Sequence, residues 1–183
     1  MTGEKAAGAV SARHRLVMLA AYPDVFAAGS VAAGLPYRCA ASLSQASLCQ
    51  YAPPERTPRQ WGDLVRAAYP EYTGPRPRVA IWHGQSDFTV APANGRELRD
   101  QFTDVLGVPP RPAAVSSLPA GTKLEVYGAD QVRLYQVTGM GHGLPVDPGA
   151  DADQCGSAAL YFLDTICSAY HDAVFFGVDR SHT

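Results

Sequence analysis

The run Arg78-Val79-Ala80-Ile81-Trp82-His83-Gly84 constrains the fold more than any other stretch of this sequence. Four consecutive apolar residues, two of them β-branched, leave no polar alternation, so a strand here has no face for solvent. A strand covered on both sides belongs inside a parallel sheet with helices above and below it, an α/β arrangement. The flanking sequence agrees. Residues 92–106 put Leu98, Phe102, Val105 and Leu106 on one helical face and stop at Gly107. Residues 11–22 keep Leu16, Leu19 and Ala20 at helical spacing before Pro23, and Thr57-Pro58 opens a further helix reaching about Tyr69. Further strands are expected over 26–34, 123–127 and 132–138, and an irregular loop over 37–56. Residues 157–166 are apolar but ambiguous between strand and helix, and Ser168 is the expected N-cap of a last helix ending at Gly177. Strands and helices alternate without a long linker, which points to one domain with a mostly parallel sheet and helices on both faces.

The charge balance excludes two classes of partner. The chain has 15 Lys and Arg against 17 Asp and Glu, with neither sign concentrated, so a nucleic-acid or membrane-surface role lacks its basic face. No apolar run approaches the roughly 18 residues that span a bilayer, and residues 1–15 contain no uninterrupted apolar core of a leader peptide. Four cysteines fall into two groups, Cys39 with Cys49 and Cys155 with Cys167, without the tight spacing of a zinc or redox motif. Two disulfides, and hence an oxidising compartment, are the favoured reading; four buried thiols are the other. Three pairings are open, with a modest preference for nearest neighbours because each pair then brackets one short loop.

In open α/β sheets the working residues lie just past the carboxyl ends of strands. Two loops there carry chemistry: Gly84-Gln85-Ser86-Asp87, and Thr138-Gly139-Met140-Gly141-His142-Gly143. An aspartate that orients an imidazole, and an imidazole that takes a proton from a hydroxyl, are two thirds of a nucleophilic hydrolase triad. Carboxylate before histidine is also the α/β-hydrolase order, with the serine expected earlier in the chain. Gly139, Gly141 and Gly143 would let the imidazole sit at the rim of a crevice beside other backbone. Each residue has a plainer reading alone, Asp87 as a turn cap and His142 as an incidental member of a glycine turn. Their order and shared position at strand ends favour the catalytic one.

The segments LAAYPDVFAAGSVAAGLPYRCA (19–40), YTGPRPRVAIWHGQSDFTVAPANG (72–95), VTGMGHGLPV (137–146) and CSAYHDAVFFGV (167–178) resemble the poly(3-hydroxybutyrate) depolymerase family of esterases. That family includes feruloyl and acetylxylan esterases, and its members are typically secreted. The resemblance implies the C-terminal part of an esterase domain over 16–178, an incomplete α/β-hydrolase fold, preceded by an unrelated segment 1–15 and followed by a tail 179–183. It assigns Asp87 as the triad acid and His142 as the base, and makes Trp82 a candidate for the substrate side, against the alternative of a core tryptophan closing its strand. It implies no metal or organic cofactor, an extracellular location, and as substrate an ester of a polyester or an acylated plant polysaccharide.

The family's nucleophile stands in a Gly-x-Ser-x-Gly elbow, at a position that falls near Ala9 here. Ser11 serves only with a shift of about two residues, and Ala9 and Arg13 then occupy the places of the elbow glycines; otherwise Ser11 is an ordinary helix N-cap. The alternative function is a catalytically dead remnant that binds polysaccharide or polyester through Tyr37, Tyr51, Trp61 and Tyr72. A metal site built from His83, Asp87 and His142 is disfavoured, because a strand end and a turn do not present them on one face.

Overall fold

The computed structural model describes residues 12–178, with side chains from Leu16 onward; Ser11 and the tail 179–183 lie outside the described residues. The chain opens with α1 (Ala12–Ala21), β1 (Ala28–Ala32), α2 (Leu43–Tyr51) and α3 (Pro58–Arg66). The central strand β2 (Arg78–Gly84) and α4 (Ala93–Val105) follow. Next come β3 (Ala114–Leu118), β4 (Thr122–Tyr127) and β5 (Val132–Val137). The short strands β6 (Leu144–Val146) and β7 (Phe162–Asp164) precede the last helix, α5 (Ser168–Phe176).

The main sheet has the order β1-β2-β5-β4-β3. Its first three strands are parallel, with Ala80 opposite Ser30 on one side and Arg133 on the other. The remaining pairs, β5 with β4 and β4 with β3, are antiparallel. The sheet is therefore mixed and not mostly parallel. The connection from Tyr127 to Val132 is too short for the crossover that parallel strands require, which takes about a dozen residues or more. It turns back through Gly128 and Asp130, both with positive φ. β3, absent from the expected elements, is a surface strand exposed over its first four residues and so without a burial period to detect.

Side chains of β2 alternate between two cores. Val79 and Ile81 join Leu16, Leu19, Leu98 and Phe102 under α1 and α4. Ala80 and Trp82 join Tyr135, Val137, Ile166 and Phe175 on the face covered by α5. Helices thus cover both faces, as the uniformly apolar β2 requires.

Residues 37–56 are not an irregular loop throughout. Ser42 caps α2, accepting from the Gln45 N–H at 3.3 Å, and Ala46 and Cys49 form its buried side. α3 starts where expected, in a capping box: the Gln60 N–H donates to Thr57 Oγ1 at 3.2 Å, and the Thr57 N–H donates to Gln60 Oε1 at 2.8 Å. It ends at Arg66, short of Tyr69. The ambiguous stretch 157–166 contains β7, which pairs in parallel with β6. Cys167, one residue before the expected Ser168, caps α5, and Gly177 ends it in the left-handed conformation at φ 72°.

Both nearest-neighbour disulfides are present, Cys39–Cys49 and Cys155–Cys167. The first ties the loop after β1 to α2. The second ties the segment after β6 to the cap of α5.

Candidate active site

β2 and β5 are adjacent and parallel, so the loops leaving their carboxyl ends emerge side by side. The backbone sews them together: the Gln85 N–H donates to the Val137 carbonyl at 2.9 Å and the Ser86 N–H to the Met140 carbonyl at 3.0 Å. Glycine at 84 permits this, because a Cβ there would come within 2.2 Å of the Met140 oxygen.

Asp87 folds its side chain back over its own turn. Oδ1 accepts the backbone N–H groups of Thr89 at 2.9 Å and Val90 at 2.8 Å. Oδ2 faces His142, whose Nδ1 lies 2.9 Å away. The Asp87 side chain is fully buried, whereas that of His142 is 31% exposed, so the pair runs from the interior to a rim. A carboxylate only accepts, so Nδ1 carries the proton and Nε2 holds its lone pair for another donor. The edge of the Tyr161 ring approaches the imidazole, with centroids 6.2 Å apart.

The three glycines of the histidine loop differ in purpose. Gly139 supplies a positive φ of 72°. At Gly143 a Cβ would meet the Tyr161 carbonyl oxygen at 2.8 Å. Gly141 has neither constraint, so the expected close approach to other backbone is found at Gly143, while Gly139 answers a different need.

Beneath the pair sits His83, 1% exposed. Its Nε2 lies 2.9 Å from the Val90 carbonyl oxygen and 3.7 Å from Asp87 Oδ2. Bonded to a carbonyl, Nε2 must carry the hydrogen and has no lone pair for a metal, and at 3.7 Å it is beyond hydrogen-bond reach of Asp87, whose bond goes to His142. Burial pushes the His83 pKa below its usual 6.5, outweighing the Val90 and Asp87 contacts that pull it up. The ring is therefore neutral beside Asp87, and its Nδ1 is buried without a hydrogen-bond partner.

His142 opens onto a cleft of about 490 Å³, walled by Leu16, Val17, Val90 and the loop 33–40. One buried amide clamps that loop. Gln101 Oε1 accepts the Tyr37 N–H at 2.7 Å, while its Nε2 donates to the carbonyls of Tyr37 at 3.2 Å and Trp61 at 3.0 Å. Sequence reasoning missed Gln101, although the signal was there: a polar residue three positions after Leu98, on the apolar face of α4.

Two aromatic expectations are corrected. Trp82 is fully buried, stacks on Tyr135 at 3.7 Å and donates its indole N–H to Asp172, so it belongs to the core and does not face the cleft. Trp61 is likewise fully buried, with its indole N–H donated to Glu97. Tyr37 lines the cleft, Tyr51 is exposed, and the Tyr72 hydroxyl is engaged by the Pro75 carbonyl at 2.8 Å.

An α/β sheet with an aspartate–histidine pair at the ends of neighbouring parallel strands is an arrangement of hydrolase type. No family model matches the chain. It is 48% identical over 167 residues to poly(3-hydroxyalkanoate) depolymerase C of Paucimonas lemoignei, covering 88% of this chain and 40% of that protein. It is 42% identical over 134 residues to an acetylxylan esterase of Coprinopsis cinerea, covering 70% of this chain and 36% of that protein. Among solved structures, an acetyl xylan esterase from Aspergillus awamori superimposes with a TM-score of 0.73 at 26% identity, over 92% of this chain and 56% of that one. The chain is a homologue of the poly(3-hydroxybutyrate) depolymerase family of esterases, and it spans about two fifths of the length of these curated relatives.

Proposed function

We propose that this chain carries the acid and base of a serine ester hydrolase, within part of an α/β-hydrolase fold. The observation that carries the reading is the buried Asp87 carboxylate, committed through one oxygen to its own turn and through the other to His142 Nδ1 at 2.9 Å. Asp87 fixes the tautomer and stabilises the imidazolium. Nε2 of His142 takes the proton of a serine hydroxyl as the oxygen attacks the ester carbonyl, then returns it to the departing alcohol. Water, activated the same way, releases the acid from the acyl-serine. Ser11 is the serine the sequence offers for that role, with the elbow motif shifted by about two residues and Ala9 and Arg13 in the places of its glycines.

The substrates are carboxylic esters, in a hydroxyalkanoate polyester or as acyl groups on plant polysaccharide, in line with the names of the relatives. Two disulfides fit an extracellular location. Among the described residues no helix is long and apolar enough to cross a membrane.

The test measures turnover of p-nitrophenyl butyrate beside retention on insoluble polyester and xylan. Turnover lost in His142→Ala supports the reading. Retention without turnover by the folded chain replaces it with polymer binding alone.

A further inference from the structure

Among the described residues walling the His142 cleft, one carries a permanent charge. Arg38 lies on the loop 33–40, its guanidinium 5.9 Å from the centroid of the neighbouring Tyr37 ring, and among the described residues no aspartate or glutamate lines the cleft with it. Among the described residues no carboxylate reaches ion-pair distance of Arg38, although five other arginine and lysine side chains, Arg59, Arg66, Arg99, Lys123 and Arg133, have one.

The backbone under Arg38 is held in an unusual place. Its φ is +55°, in the left-handed region that side chains with a Cβ rarely enter, at a cost of about 1–2 kcal/mol. The neighbours keep it there. Gln101, itself fully buried, binds both the N–H and the carbonyl of Tyr37. On the other side Cys39 is tied to Cys49, and its N–H donates to the Pro36 carbonyl at 3.0 Å. Arg38 is itself exposed, so the clamp fixes where its guanidinium leaves the loop at the mouth of the cleft. Strain of this kind, fixed from both sides at the wall of a cleft, serves to aim a side chain.

We propose that Arg38 is the carboxylate-recognising group of this cleft, so that the preferred ester carries a free carboxylate close to the bond that is cut. The proposal rests on the ester-hydrolase reading. The planar fork of a guanidinium matches a carboxylate through two parallel hydrogen bonds, and apolar walls on the same cleft raise the worth of that pairing. Two substrates supply this chemistry: the free-acid end of a hydroxyalkanoate oligomer, and an acylated polysaccharide bearing a uronic acid.

The experiment measures binding to the full chain by calorimetry at low ionic strength, with two matched pairs of probes. One is the 3-hydroxybutyrate dimer as free acid and as methyl ester; the other is a xylo-oligosaccharide with and without a uronic acid. In one pair the acid should bind roughly three- to tenfold tighter than its neutral counterpart, the range for a partly exposed charge-assisted pair. That preference should vanish in Arg38→Gln, persist in Arg38→Lys and fade as salt rises. Arg38→Asn, which tolerates the left-handed backbone, should also lose it with the loop intact. The pair that discriminates identifies the source of the carboxylate. Equal binding within both pairs, no binding of either acid, or a preference that survives Arg38→Gln overturns the proposal. Because the readout is binding, discrimination without ester turnover would count against the hydrolase reading and not against this subsite.

Discussion

Gly84 lies so close beneath the Met140 carbonyl that the loop bearing Asp87 and the loop bearing His142 touch through bare backbone. No side chain can be inserted between them without separating the acid from the base. Gly84→Ala should therefore destabilise the fold by about 1–3 kcal/mol, the usual cost of overpacking against rigid atoms. It should also weaken the Asp87–His142 hydrogen bond, which thermal melts and the NMR signal of the His142 Nδ1 proton would register together.

Asp87→Asn keeps the shape of the acid but exchanges an obligate acceptor for a group that can donate. His142 should then switch to the tautomer protonated on Nε2, leaving no lone pair for a hydroxyl nucleophile. Nitrogen NMR of the imidazole reads the switch directly, and ester turnover should fall roughly 10³–10⁴-fold. An unchanged tautomer would remove Asp87 from its assigned role.

The strand core and the placement of Asp87 and His142 at neighbouring strand ends were legible for a simple reason. β2 is apolar on both faces, and Asp87 and His142 stand where strands end among glycines. The strand direction in the sheet's second half was misjudged because strand content was read without the turns. Gly128-Ala129-Asp130-Gln131 is a hairpin length, and counting it would have excluded a parallel neighbour. α2 was hidden because Leu43, Leu48 and Tyr51 are exposed while only Ala46 and Cys49 are buried, so its apolar residues do not mark the inner face. Trp82 looked informative beside Asp87, yet strand alternation sends it to the α5 side. No sequence period reveals that Gln101 reaches 64 residues back to hold Tyr37.

Acid should destabilise the protein through His83. Folded, the buried ring resists protonation below its ordinary 6.5; unfolded, it takes the proton near that value. The unfolded chain binds more protons as pH falls below 6.5, so stability is lost in that direction, by at most about 1.4 kcal/mol per pH unit from this group. Melting temperature followed from pH 7.5 to 5 should decline. The decline should be shallower in His83→Gln, which can still donate to Val90 but does not titrate.

Replacing Cys155 and Cys167 together by alanine releases a loop closed over a sequence separation of 12. The loop-entropy estimate for that length is about 3 kcal/mol, and denaturant unfolding of the variant should show a loss of that order. The released loop carries Tyr161, whose ring edge meets His142 and whose carbonyl accepts the Leu144 N–H, so the NMR signal of the His142 Nδ1 proton should broaden in the variant.

The central claim is that His142 and Asp87 activate a serine of this chain toward esters. The most direct measurement exposes the folded chain to a fluorophosphonate and maps the adduct by mass spectrometry. The account predicts one adduct, on Ser11, that disappears in His142→Ala. A folded chain that remains unlabelled, or one whose labelling is indifferent to His142, would contradict it.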